Sequence, residues 1–159
     1  MPRKTLRPRE KRDLPHPDSK FNSVLVSRFI NKVNFRGKKS IAETIVYKSF
    51  DIIKEKSGQD PLTVFNSAIE NARPLIEVRP RRVGGATYQI PMEVPIMRST
   101  TLAMTWIIKI AKTKSGHSMC EKLAQEIFDS SKKEGATIKK REEVHKMAEA
   151  NKAFAHYRW

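Results

Sequence analysis

The 159-residue sequence contains one cysteine, and no apolar run approaches the ~20 residues needed to span a bilayer. The lone Cys120 excludes an internal disulfide framework and suits a reducing compartment, and we predict that its side chain is buried. The first 20 residues lack an apolar stretch, so no secretory signal is expected there. We therefore expect one helical core and no membrane partner.

The patterns of catalytic and cofactor sites are also missing. The four histidines have no metal-ligand spacing and no cysteine partners, so no metal site is predicted. Gly37–Ser40 is not a phosphate-binding loop, because Lys32 occupies the position of the earlier glycine and a helix precedes the segment. No nucleophile constellation or dinucleotide loop is recognisable. We expect no cofactor and no enzymatic activity.

Acidic residues are outnumbered, with 17 Asp and Glu against 32 Lys and Arg and a formal net charge of +15. Such an excess on a small domain favours a polyanionic partner, most often nucleic acid. An anionic membrane surface is a weaker explanation, because the basic clusters do not lie on one amphipathic helix.

Residues 1–13 are predicted to form a basic arm that precedes a single domain over residues 14–159. The arm has two prolines and almost no apolar content, so it is expected to be disordered until it meets phosphate. A merely solubilising tail is the alternative. The arm's cations are Arg3, Lys4, Arg7, Arg9, Lys11 and Arg12.

A β-hairpin is predicted at about residues 75–91. Apolar and polar residues alternate on both sides of Gly84-Gly85, while Pro74 precedes and Pro91 follows the alternation. A two-stranded ribbon is marginal alone, so it must lean on the helices or on a partner. The cations near its tip are Arg79, Arg81 and Arg82.

Apolar residues at helical spacing predict six helices around this hairpin. They are expected from the turn at 16–19 to Gly37, from about Ile41 to Gly58, from Asp60-Pro61 to Pro74, from a cap at Ser99 or Thr100 to about Ser115-Gly116, from Met119 to Gly135, and over Ile138–Ala150.

Several individual side chains are assigned within these helices. Ile41 and Trp106 are placed on buried faces, and Met147 on the thin apolar stripe of the last helix. In that helix Glu142 and Glu143 are expected to pair with lysines three and four residues away, namely Lys139 and Lys146.

Two further segments combine cations with other features. Four cations lie close together at the predicted end of the first helix, namely Lys32, Arg36, Lys38 and Lys39. They either complement the helix dipole or bind phosphate, and we favour phosphate. The tail Asn151–Trp159 interleaves aromatic and basic residues, which suits base stacking or packing back onto the helices, and both interpretations stay open.

Three blocks carry a resemblance along nearly the whole chain. They are FINKVNFRGKKSIAETIVYKS within Leu25–Ser49, ARPLIEVRPRRVGGATYQIPMEV at Ala72–Val94, and KKREEVHKMAEANKAFAHYRW at Lys139–Trp159. On these residues the chain resembles the bacterial-type small-subunit ribosomal protein seven family. The resemblance implies a mainly α fold with six helices and a β-ribbon between the third and fourth.

The resemblance also implies a function. It implies a structural constituent of the small ribosomal subunit, with the cytoplasm as the expected compartment and an organellar ribosome as the alternative. It also implies a primary binder of 16S-type ribosomal RNA that nucleates assembly of the head. It further implies a position near exit-site transfer RNA and the messenger RNA exit path, beside small-subunit proteins nine and eleven.

The family's binding positions are carried over by matching residues. The arm, the Gly37–Lys39 corner and the ribbon arginines match positions that lie on RNA in the family, and the ribbon end matches the part that reaches exit-site transfer RNA. That end comprises Val83, Gly84, Gly85, Ala86, Thr87 and Tyr88. The C-terminal match covers Lys139, Lys140, Arg141, His156 and Arg158.

Two departures from the family pattern stand out. Pro80 replaces a small residue and removes an amide donor, which fits only an edge or turn position. Between Ile96 and Thr105 the chain has Arg98 alone, where relatives carry more arginine. From the residues alone, the alternatives are an architectural DNA-binding protein with a β-ribbon arm and a messenger RNA regulator acting apart from the ribosome.

Overall fold

The computed structural model describes residues 15–157. It confirms a mainly helical fold with six helices and one antiparallel hairpin between the third and fourth. The elements are α1 (Val24–Val33), α2 (Lys39–Ser57), α3 (Pro61–Ala72), β1 (Ile76–Val83), β2 (Ala86–Glu93), α4 (Ile96–Thr113), α5 (Met119–Ser131), α6 (Ala136–Ala150) and a C-terminal 3-10 helix (Lys152–Tyr157).

The core is built on three aromatic rings contributed by α1, α2 and α3. Phe65 lies between Phe29 and Phe50, with ring centroids 5.0 and 5.3 Å away, and all three side chains are fully buried. Leu123 and Ile127 bring α5 into the same core, where it packs against α2, α3 and α4. Each such buried side chain contributes roughly 1.5–3 kcal/mol, so these five residues stabilise the packing of four helices.

The N-terminal helix is shorter than expected. The Asp18 carboxylate accepts hydrogen bonds from the backbone N–H groups of Lys20, Phe21 and Ser23, which fixes a turn and delays the helix. Helix α1 therefore begins at Val24, after the cap Ser23, and it ends at Val33 instead of Gly37.

Two other expected boundaries are wrong for local reasons. Helix α4 begins at Ile96 after Pro95, and the hydroxyls of Ser99 and Thr100 donate back to the Ile96 carbonyl instead of capping the helix. Gly135 does not end α5; with a φ of 90° it is the N-cap of α6. Local composition does not distinguish the end of one helix from the start of the next at such a glycine.

Some side chains expected in the core lie elsewhere. Helix α4 turns Met104 and Ile108 inward, so Trp106 falls on the flank of the buried face and is only half-buried. Ile41, in the first turn of α2, is 52% exposed, and Met147 of α6 is 48% exposed. Cys120 is half-buried as well. An apolar stripe is wider than the face that a neighbouring helix covers.

The hairpin register accounts for its two prolines. The Val94 N–H donates to the Leu75 carbonyl at 3.0 Å, and hydrogen-bonded pairs alternate along an antiparallel ladder. By that alternation, the pairs Pro80–Gln89 and Val78–Pro91 are non-hydrogen-bonded. Neither proline removes a ladder donor, so β2 continues through Pro91, which was expected to lie beyond the strand.

The hairpin turn is a two-residue connection. Gly84 and Gly85 have φ values of 57° and 90°, the left-handed conformation that a type I′ turn requires at both central positions.

Helix α6 is held in place by a buried carboxylate. Glu126 of α5 is fully buried, and its Oε1 accepts from the Thr137 backbone N–H at 3.0 Å and the Thr137 hydroxyl at 2.6 Å. Its Oε2 lies 2.6 Å from Lys114 Nζ, just after α4. Because the N-cap Gly135 has no side chain, Glu126 supplies the cap of α6 from a neighbouring helix.

Replacing Glu126 with Ala should destabilise the fold by about 1–3 kcal/mol, because the variant loses the cap of α6 and leaves the Thr137 donors unsatisfied, whereas water can hydrate Lys114, which is 33% exposed. Urea unfolding followed by circular dichroism measures the change. The exposed Glu134→Ala in the preceding loop is the matched control, with an expected change of about 0.5 kcal/mol or less. Equal midpoints for the two variants would contradict the capping role.

Candidate nucleic-acid interface

The first basic surface runs from the last turn of α1 to the first turn of α2, and we call it the α1–α2 connection. Lys32, Arg36, Lys38 and Lys39 are all exposed. Lys38 and Lys39 lie at the start of α2, where the helix dipole disfavours cations. The dipole therefore does not account for these two lysines, whereas phosphate at a helix N-terminus is favourable.

An exposed aromatic ring accompanies these cations. Phe35 is 68% exposed, and the Arg36 guanidinium carbon lies 5.2 Å from the centre of its ring. A ring and a guanidinium in this arrangement form a platform on which an unpaired base can stack. Phe35 was missed from the sequence, although its position inside a basic turn is the signal that could have identified it.

A second basic surface continues from the first. Lys32 of α1 and Lys109 and Lys112 of α4 line a groove of about 300 Å³ together with Thr105 and Ile108. Sequence reasoning did not select Lys109 or Lys112, because their approach to α1 depends on how the helices pack. Their spacing of three residues on one helix face is the only local signal.

The ribbon arginines differ from one another. Arg81 and Arg82 are exposed on β1. Arg79 is half-buried, and its Nε donates to Glu77 Oε1 at 2.6 Å. Arg98 at the start of α4 donates through Nε to both oxygens of the same carboxylate, at 2.8 and 2.9 Å. Burial tends to raise the pKa of Glu77, but the hydrogen bonds and charges of the two arginines hold it below its ordinary value.

The base of the ribbon rests on α6. The Leu75 N–H donates to His145 Nε2 at 3.1 Å, so neutral His145 carries its proton on Nδ1. Burial lowers the pKa of His145 below its ordinary 6.5, and the charge of Arg141 adds to this effect against a smaller opposing effect of Glu142.

The C-terminal 3-10 helix supports the ribbon further out. The rings of Tyr88 and Phe154 lie 5.2 Å apart, so Phe154 packs back onto the hairpin. His156 is exposed, with Nδ1 2.8 Å from the Ala153 carbonyl oxygen. Arg158 and Trp159 lie outside the described residues, as does the whole basic arm of residues 1–13.

The C-terminal basic cluster is split between surface and interior. Lys139 and Lys140 are exposed, and Lys140 pairs with Glu143 at 2.9 Å. Arg141 is half-buried and donates to the Asn71 carbonyl at the end of α3. The nearest cation to Glu142 is Arg141, at 3.9 Å. The predicted partners Lys139 and Lys146 are therefore not the ones found, because Arg141 turns toward α3 and Lys140 reaches Glu143.

Within residues 15–157, no group of three or more metal-binding side chains could hold a metal ion. In the same part of the chain, no helix is both long and apolar enough to cross a membrane. The described surface instead combines exposed lysines and arginines, one exposed aromatic ring and a braced ribbon. This arrangement is typical of a structural nucleic-acid-binding protein.

Known proteins are similar in sequence to this chain. Residues 3–152 match the family described as Ribosomal protein S7p/S5e. Proteins named small ribosomal subunit protein uS7 are 73% identical in Endomicrobium trichonymphae and 59% identical in Elusimicrobium minutum, with all of both chains covered. The uS7 protein of Thermotoga maritima is 57% identical over 94% of this chain and 96% of its own. The chain belongs to this ribosomal protein family.

Family membership confirms the resemblance drawn from the three sequence blocks. It makes the chain a structural protein of the ribosome and not an enzyme. It also favours the ribosomal interpretation over the architectural DNA-binding one.

The lowered pKa of His145, caused mainly by its burial, predicts a pH dependence of stability. Its pKa is lower in the folded state, so as the pH falls the unfolded chain binds the proton first and stability decreases. Between about pH 7.5 and about pH 5.5, His145→Gln should lose less stability than the unmodified protein. Thermal unfolding at both pH values measures this difference. The exposed His16→Gln is the control, and its stability should keep the pH dependence of the unmodified protein. An equally steep loss of stability in His145→Gln would refute the role assigned to His145.

Proposed function

We propose that this chain is a structural constituent of the cytoplasmic small ribosomal subunit. In this proposal it is a primary binder of 16S-type ribosomal RNA and nucleates assembly of the head. The observation that carries the proposal is the continuity of the two basic surfaces, since Lys32 belongs both to the α1–α2 connection and to the groove beside α4.

The physical role is to fix the path of folded RNA. Most charge contacts of such a protein go to phosphates, which determine position but carry no sequence information. Lys38 and Lys39 would meet phosphate at the start of α2, while Lys109 and Lys112 would meet a second stretch of backbone. The deep groove of A-form RNA excludes side chains, so unpaired bases are the available partners of Phe35.

The flanking basic segments complete the RNA contact in this proposal. The arm of residues 1–13 binds RNA through its Arg and Lys side chains and precedes a domain over residues 14–159. Arg81 and Arg82 bind RNA from the ribbon, and Lys139 and Lys140 bind it from α6. The exposure of these four side chains supports their assignment. The proposed RNA-binding residues also include Arg141, His156 and Arg158.

The ribbon end faces the ligands that move through the ribosome. Residues 83–88 reach exit-site transfer RNA and the outgoing messenger RNA in this proposal. The contacts of the ribbon with His145 and Phe154 suit an element that must be held away from the helices. The protein neighbours are small-subunit proteins nine and eleven. The exposed side chains of Leu75 and Ile76, beside a groove of about 440 Å³ between the ribbon and α6, support a protein contact there.

Sedimentation tests the proposed function. In sucrose gradients of a cell lysate, the full chain should migrate in stoichiometric amounts with small ribosomal subunits, and the purified chain should bind a fragment of 16S-type RNA from the head. Protein that remains free, or that sediments with chromosomal DNA, would overturn the proposal.

Replacing Lys32, Lys109 and Lys112 with Ala tests the groove. Binding to the RNA fragment should weaken, and the slope of log affinity against log salt should flatten by roughly 0.7–0.9 for each phosphate that the variant no longer neutralises. A matched triple variant at the exposed Lys48, Lys54 and Lys133 removes the same charge outside the groove. If the slope flattened equally in both variants, net charge and not the groove would explain binding.

A further inference from the structure

Glu77 is the one carboxylate shared by two arginines from separate elements in the described residues. Its Oε1 accepts from Arg79 Nε on β1 and from Arg98 Nε on α4, at 2.6 and 2.8 Å. The two guanidinium groups therefore lie next to each other, although their residues belong to the ribbon and to the helix that follows it. This arrangement ties the base of the ribbon to the start of α4.

The carboxylate of this trio is much less exposed to solvent than its two guanidinium groups. The Glu77 side chain is 11% exposed, whereas those of Arg79 and Arg98 are 42% and 48% exposed. The negative charge thus lies behind two positive charges, and the trio keeps a net positive charge toward solvent. Each guanidinium has five N–H donors and uses only its Nε–H on Glu77, so the terminal nitrogens stay available.

Two neighbouring arginines repel each other unless an anion lies between them. The shared carboxylate offsets this repulsion and fixes both guanidinium planes before any ligand arrives. A fixed pair of guanidinium groups matches the geometry of a phosphate oxygen pair, because each can form parallel charge-assisted hydrogen bonds. Arg98 lies in the first turn of α4, where the helix dipole also favours an anion.

We infer that Glu77 is a positioning residue that holds Arg79 and Arg98 together as one binding site for a single backbone phosphate of RNA. The inference rests on the proposed function, since the phosphate is that of the bound ribosomal RNA. It adds Arg98 to the interface and gives Arg79 a partner on another element. It also makes a buried acidic side chain favourable for binding a polyanion.

The positioning role of Glu77 and the net charge of the chain predict opposite changes in RNA affinity when Glu77 is replaced. Glu77→Gln adds one positive charge, which by itself should strengthen RNA binding. If Glu77 positions the arginines, the variant should instead bind the 16S-type RNA fragment about tenfold more weakly, and its salt slope should flatten by roughly 0.7, equivalent to one phosphate. Filter binding at several salt concentrations measures both quantities.

Glu70→Gln is the matched control. It makes the same charge change and removes a carboxylate that pairs with Arg73 at 3.0 Å on an exposed helix surface. Its affinity should be unchanged or slightly higher. Glu77→Gln that behaves like Glu70→Gln would overturn the inference, while binding by the unmodified chain would leave the proposed function intact.

A double-mutant cycle separates positioning from a loss of folding. In an Arg98→Ala background, Glu77→Gln should change affinity by less than about twofold, because one of the two positioned groups is already gone. Thermal unfolding of each variant gives the folded fraction, to which affinities are corrected. An undiminished effect of Glu77→Gln without Arg98 would show that Glu77 does not act by positioning Arg98 and would refute the inference.

Discussion

The buried carboxylate of Glu126 is the interaction on which the arrangement of the C-terminal half depends. Helix α6 has only a thin apolar stripe, of which Ile138 and Ala148 are buried, so packing alone holds it weakly. Glu126 binds its first turn through Thr137 and joins it to Lys114. Helix α6 in turn carries His145 and Arg141, which bind the backbone of the ribbon base and of α3. The direction in which the ribbon points therefore depends on Glu126, because α5 supplies the cap that holds α6 in place.

A net charge of +15 imposes a second constraint, because like charges destabilise a compact chain. Two acidic side chains, Glu77 and Glu126, are buried beside cations, and each binds groups from more than one element. The remaining cations of the α1–α2 connection and of α4 lie on the surface, where phosphate can neutralise them. The fold thus uses its few buried carboxylates to hold elements together and leaves the neutralisation of its surface to a polyanion.

The sequence predicts those features of the structure whose interacting residues are close together along the chain. Phe29, Phe50 and Phe65 are buried as their helical spacing predicts, and Asp60 caps α3 because its oxygen needs to reach only three residues. Trp106 was misplaced, because the choice between it and Met104 is made by neighbouring helices. Glu126 and Lys109 were not selected for the same reason. Their partners or surroundings are set by tertiary packing, which periodicity does not contain.

Proline is unfavourable within most β-strands, but the register of the ribbon explains the two prolines that it contains. Both strands of a two-stranded sheet are edge strands, and an exposed edge is a template for unwanted pairing. Residues in non-hydrogen-bonded pairs direct their N–H groups away from the partner strand, toward that edge. Pro80 and Pro91 both occupy such pairs, one on each strand. Each removes an outward donor without weakening the ladder, so the two prolines protect both edges of a ribbon that the helices hold only at its base and flank.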